Sequence, residues 1–154
     1  MDLKSITVAT GVVTAGMTVR QVFEECTQVS SPGLPFCDDH GVVSGRVTLR
    51  HILKRHCLPE HLVELASVLG EQTSSVQDME MLAQELLDNR IDSYVQSPHA
   101  SVTSASSVIK ALALMEKLDT SYLFVIDEAQ YRGLVTLQSL SKVILRYDTS
   151  PRST

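Results

Sequence analysis

The heptapeptide Gly45-Arg46-Val47-Thr48-Leu49-Arg50-His51 returns 88 residues later as Gly133-Leu134-Val135-Thr136-Leu137-Gln138-Ser139. A short apolar run ending in aspartate precedes each copy: Leu34-Pro35-Phe36-Cys37-Asp38-Asp39 and Tyr122-Leu123-Phe124-Val125-Ile126-Asp127. At this spacing Phe36 falls on Phe124 and Asp39 on Asp127. Such repetition means that one supersecondary unit was built twice and packed against itself. The cleft between two such units is a natural place for a small ligand.

A spacing of 89 carries the repeat further back, placing Val13-Thr14 over Val102-Thr103, Thr18-Val19 over Ser107-Val108 and Phe23 over Leu112. The one-residue difference is expected between helix and strand, where Ser30-Ser31-Pro32-Gly33 faces Asp119-Thr120-Ser121, because loops absorb length changes cheaply. Each repeat reads as strand, helix, strand, strand, helix. In the first, Val19, Val22, Phe23 and Cys26 form an apolar helical stripe behind Thr18, with Gln21 completing a capping box. In the second, Val108, Ala111, Leu112, Met115 and Leu118 form the stripe behind Ser107. Thr48 and Thr136 are placed to cap the final helices.

A chain of 154 residues has room for one domain, or for two small ones sharing a core. Its net charge of −5 is unevenly spread. Residues 1–57 and 100–154 each carry six basic and five acidic side chains, whereas residues 58–99 hold eight carboxylates and only Arg90. No basic stripe suggests a nucleic acid partner. No run approaches the roughly 18 apolar residues of a membrane span, and residues 6–17 make a poor secretory signal, so a cytoplasmic location is expected. The acidic middle reads as two amphipathic helices. One begins at Pro59-Glu60 and carries Leu62, Leu65, Ala66 and Leu69 up to Gly70. The other opens at Ser75 with Asp78 and carries Val76, Met79, Leu82, Ala83 and Leu86. Their stripes must be buried on the repeats or on a second copy of the chain.

Catalytic and metal chemistry find little footing. Cys26, Cys37 and Cys57 align with Met115, Val125 and Leu145, so they read as small buried hydrophobes. His51, His56 and His61 diverge on a helix rather than surround one zinc. Glu24-Glu25 and Asp38-Asp39 are adjacent pairs whose side chains point apart. No set of acid, base and nucleophile converges, and no enzyme is expected.

The ordered unit, with Leu-Pro-Phe-Cys-Asp and Gly-x-Val-Thr in tandem, resembles a cystathionine β-synthase (CBS) domain pair, or Bateman module, over roughly residues 10–57 and 93–147. The resemblance implies an α+β fold: tandem βαββα repeats packed as a pseudo-twofold pair, with a two-helix insert between them. It divides the chain into a first repeat (1–57), an acidic helical insert (58–92), and a second repeat with a C-terminal tail (93–154). It also implies a regulatory module that binds AMP, ADP, ATP or S-adenosylmethionine between the repeats and works as a homodimer, with an enzyme, channel or transporter as the regulated protein. In such modules adenine meets apolar groups of the first strand and of the Leu-Pro strand. Ribose meets the threonine of Gly-x-x-Thr and an aspartate three residues on, and phosphates meet basic residues and a helix start.

Carried onto this chain, the resemblance singles out Val102, Thr103, Tyr122, Arg132, Thr136 and Ser139 in the second repeat, and Thr14, Arg46, Thr48 and His51 in the first. The aspartate position is His51 in one repeat and Ser139 in the other, so the charged double acceptor for ribose is missing from both. That loss is worth about 1.5–3 kcal/mol of affinity. On these grounds the second repeat is the expected working site. Arg46 and Arg132 read either as anion contacts or as solvated residues at a sheet edge. The alternative function is a degenerate pair, without ligand, that serves as a dimerisation or docking scaffold.

Overall fold

The computed structural model of the protein describes residues 2–58, 63–68 and 76–148. Helix α1 (Val19–Val29) starts where local chemistry directs it: the Thr18 hydroxyl accepts from the Gln21 amide, and the Gln21 side chain accepts from the Thr18 amide. It buries Val19, Val22 and Cys26 and ends at Ser30 in the left-handed conformation. Strands β1 (Gly33–Cys37) and β2 (Val43–Thr48) follow as an antiparallel hairpin, and Thr48 caps α2 (Leu49–Cys57). After the insert helix α3 (Val76–Leu86), the second repeat runs α4 (Val108–Leu118), β3 (Tyr122–Asp127), β4 (Gln130–Thr136) and α5 (Leu137–Arg146). Ser107 caps α4, which ends at left-handed Asp119, and Thr136 caps α5. The first strand of each repeat is reduced to one residue. Val13 is clamped by the Pro35 carbonyl and the Cys37 amide, and Val102 by the Phe124 carbonyl and the Ile126 amide.

The register corrects the alignment of the hairpins. Gly33 lies opposite Thr48 and Leu34 opposite Val47, while Tyr122 lies opposite Thr136 and Leu123 opposite Val135. Gly33 is therefore the counterpart of Tyr122, Pro35 of Phe124 and Phe36 of Val125, so the spacing of 89 continues through the first hairpin strand. The extra residue of repeat one sits at the hairpin tip, between Cys37 paired with Val43 and the equivalent Ile126 paired with Tyr131. The helix-to-strand turn is instead of equal length in both repeats. It is fixed by the left-handed caps at Ser30 and Asp119, whereas a tip faces solvent and tolerates insertion.

The repeats exchange their leading segments. Leu3 and Ile6, in and beside a short 3-10 turn, complete the core of the second repeat with Val102, Leu123, Val135 and Leu140. Val8 then bridges Leu134 through two hydrogen bonds of 2.8 and 3.0 Å. In the same way Ile91 and Tyr94 complete the core of the first repeat with Val13, Leu34, Val47 and Ile52, and Gln96 bridges Arg46. A third cluster, Tyr122, Phe124 and Leu134 with Val8 and Val43 against it, joins the two halves.

The insert packs on the first repeat. Leu86 is buried in that core, and the Val19 and Arg20 amides donate to the Asn89 and Leu87 carbonyls. Met79 is 60% exposed, so the expected stripe is covered only towards its C-terminal end. The Pro59-Glu60 start, Leu62, Leu69, Gly70 and the Ser75 cap lie outside the described residues; Ala66–Val68 form one 3-10 turn. Cys26 and Cys37 are buried and Cys57 half-buried, and burial pushes the Cys26 thiol up to about 11.

Thr136 tests how much one cap holds. Its hydroxyl accepts from the Ser139 amide at 3.1 Å, and Ser139 Oγ accepts from the Thr136 amide at 2.8 Å, both residues being buried. Thr136→Ala is expected to lose about 1–2 kcal/mol in urea unfolding. Thr136→Ser, which keeps the oxygen, should lose less.

Candidate functional site

A cleft of about 350 Å³ opens between the repeats. One wall is the end of β2 and the start of α2, bringing Arg46, Thr48, Arg50, His51 and Lys54. The segment leading into repeat two brings Gln96 and His99, and the α4–β3 turn closes the far side with Asp119, Thr120 and Tyr122. The sequence builds the first wall locally. The Thr48 hydroxyl accepts from the His51 amide at 3.0 Å and starts α2, so residues 50, 51 and 54 fall on adjoining positions of its first turns.

The distant wall is positioned by pairing. Arg46 and Gln96 exchange backbone hydrogen bonds of 2.9 Å, and Arg46 Nε donates to the Ser97 carbonyl at 2.9 Å. Tyr122 is 4% exposed and packs edge-on to His99, ring centroids 6.2 Å apart. Its hydroxyl has no hydrogen-bond partner among the described residues. Burial pushes the phenol pKa up, and the facing Arg46 guanidinium acts against this.

Arg46, Arg50 and Lys54 have no carboxylate partner among the described residues, whereas Arg20, Arg90 and Arg132 each pair with an aspartate. Asp119 is the one carboxylate on the lining among the described residues. Burial lowers the His51 pKa, and Arg55, Arg46 and Lys54 lower it further. His99 is lowered by burial and then by Arg46. The arrangement is an open cationic recess, Arg46 partly buried and Arg50 and Lys54 exposed, with a helix start beneath it, suited to an anion.

The lowered histidines set a pH dependence for the protein alone. Their unfolded pKa is near 6.5 and their folded values lie below it, so between those values the unfolded chain binds more protons. Stability from these two groups is therefore full above about pH 6.5 and is lost as pH falls through the folded values. Urea midpoints across pH 8 to 5 should fall on the acid side, less steeply in the double variant His51→Gln, His99→Gln.

The CBS domain family model matches residues 82–146. That match spans the second repeat, and the chain as a whole has the fold of a CBS pair. Among solved structures it is similar to the CBS domain of a CBS domain-containing membrane protein from Sphaerobacter thermophilus, at 18% identity and TM-score 0.67 over 92% of this chain and 86% of that one. A protein with CBS domains from Burkholderia ambifaria gives 17% identity and TM-score 0.68 over 99% and 100%. CBSX2 in complex with AMP gives 17% and 0.65 over 94% and 97%. No curated protein matches the sequence.

Within this CBS pair, Arg46, Thr48, His51 and Tyr122 are brought together at the cleft, and the other expected site residues are not. Arg132 turns to Asp127, Nε to Oδ2 3.7 Å, beside the two hydrogen bonds from Ser104 that hold that carboxyl below its ordinary value. Thr136 and Ser139 spend their polar atoms on one another. The Thr103 amide donates to Ser106 Oγ, and the Val102 amide and carbonyl are used in the sheet. Thr14 is exposed, its amide directed at Met17 Sδ.

Sequence reasoning missed Arg50, Lys54, Gln96, His99, Asp119 and Thr120. A usable signal was present in the differences between the repeats. Arg46, Arg50 and His51 stand where the second copy has Leu134, Gln138 and Ser139. Among the described residues, no group of three or more His, Cys, Asp or Glu is placed to hold a metal ion, and no helix is long and apolar enough to cross a membrane.

Proposed function

We propose that this CBS pair is a regulatory module that binds an adenine nucleotide or adenosyl compound in the cleft lined by Arg46, Thr48, His51 and Tyr122. The observation that carries the reading is a recess of about 350 Å³ holding three cations without carboxylate partners among the described residues. Its volume is within the range of small-ligand sites. The similar fold of CBSX2 in complex with AMP supports adenine as the base. In this reading the first repeat supplies the phosphate contacts. The α4–β3 turn and His99 supply the face for the base and sugar. The module acts by a shift between shapes rather than by chemistry, and the shift equals the ligand's differential affinity for the two states.

A cytoplasmic setting fits the three free thiols. A homodimer is proposed through the outer end of α5, where Ile144, Leu145 and Tyr147 are 65%, 64% and 67% exposed. Sedimentation of Ile144→Glu should then give monomers where the parent gives dimers. The scaffold reading is favoured by one observation, that Ser139 and Thr136 are buried and satisfied by each other.

Thermal unfolding against AMP, ADP, ATP, adenosine and S-adenosylmethionine separates the two. A ligand at about 100 times its Kd adds about 2.7 kcal/mol, which for this size raises Tm by roughly 5–11 °C. The rise should disappear in Arg46→Ala. No rise with any compound at millimolar concentration would discard the nucleotide reading and leave the scaffold.

A further inference from the structure

The two halves of the pair are related by the repeat, so each wall of the cleft has a counterpart, and the counterparts differ in charge. Arg46, Arg50, His51 and Lys54 correspond to Leu134, Gln138, Ser139 and Lys142. Leu134 is 1% exposed and belongs to the apolar cluster between the halves. Ser139 is 5% exposed and is consumed by the α5 cap. His99 corresponds to Thr10, whose hydroxyl is taken up by Tyr131 Oη at 2.6 Å. Tyr122, whose buried phenol faces the Arg46 guanidinium, corresponds to Gly33. Three permanent cations and two histidines on one side thus become one lysine on the other.

Resting on the proposed nucleotide site, we infer that the two positions are unequal: the cleft over β2 and α2 takes one ligand with two or more linked phosphates per chain, and the related position takes none. Arg46, Arg50 and Lys54 lie along the strand end and the first turns of α2, so a linear polyanion meets them in succession, whereas a single phosphate can engage only part of the set. Among the described residues Asp119 is the lone opposing charge on the lining, which leaves the recess positive before either histidine is protonated. With no other carboxylate among the described residues lining the recess to accept the ribose hydroxyls, charge on the phosphate chain becomes the larger share of the affinity. Arg50 and Lys54 are exposed, so water and salt screen them, and each added anionic charge there is worth roughly a fewfold in affinity.

Isothermal titration at fixed ionic strength with adenosine, AMP, ADP, ATP and inorganic tripolyphosphate tests this. Affinity should climb from AMP to ATP by about thirtyfold, with one ATP per chain. The climb should flatten as salt rises, and the double variant Arg50→Gln, Lys54→Gln should bring ATP to within about threefold of AMP. Two equal sites per chain, or AMP binding as tightly as ATP, would overturn the inference while leaving the nucleotide reading intact. Tripolyphosphate binding once per chain as tightly as ATP, with adenosine silent, would support the polyanion cleft and remove adenine from the function.

Discussion

Gly133→Ala should destabilise the protein by about 3 kcal/mol or more, lowering Tm by roughly 6–12 °C. Two costs add at this position. Gly133 has φ of +146°, a conformation that side-chain-bearing residues rarely adopt. A Cβ there would also overlap the Val8 carbonyl oxygen and lie 2.8 Å from Thr7 Cγ2 and 2.9 Å from the Val8 carbonyl carbon. The atoms in the way belong to the segment that crosses from the start of the chain to complete the second repeat. Relief requires that segment to lift, breaking the Val8–Leu134 bridge and drawing Leu3 and Ile6 from the core.

Two other glycines separate the costs. At Gly45, φ lies outside the left-handed region, but a Cβ would be 2.7 Å from Val95 Cγ1 and 2.8 Å from the Gln96 carbonyl oxygen. At Gly41, φ is +76° and nothing lies within 4 Å, so alanine there measures the backbone cost alone, about 1 kcal/mol. The expected order of loss in urea unfolding is Gly133→Ala, then Gly45→Ala, then Gly41→Ala. If Gly133→Ala falls to the level of Gly41→Ala, the crossing segment does not press on β4.

Phe124→Ala is expected to cost about 3–5 kcal/mol. The ring is 2% exposed and lies between Tyr122 and Tyr131, with centroid separations of 5.6 and 5.8 Å. The cluster it anchors includes Val8 and Val43, so removing the ring loosens the contact between repeats as well as one core. A drop in Tm of roughly 6–20 °C with a single unfolding step would show the halves unfolding together. Two resolved steps would show that the repeats hold independently of this ring. Phe124→Leu, which keeps most of the volume, should lose no more than about 1.5 kcal/mol.

The repeat, the stripes of α1 and α4 and the N-caps at Thr18, Thr48 and Thr136 were settled by the sequence alone, because each depends on neighbours within one or two turns of chain. Even so, sequence spacing placed the one-residue difference in the wrong loop. Phe36 and Phe124 look alike, but register follows from the pairing of Gly33 with Thr48 and Tyr122 with Thr136. Tertiary structure alone decided which segment completes which core, since Leu3 and Ile91 carry no local mark of the sheet they join. It also decided the site. Arg46 and Arg132 look equivalent beside their glycines, yet Asp127 claims one of them, while the exchanged segment sets His99 against the wall that holds the other. Local patterns fix what each element is; charge and burial between elements distant in the chain fix which of two similar walls can receive an anion.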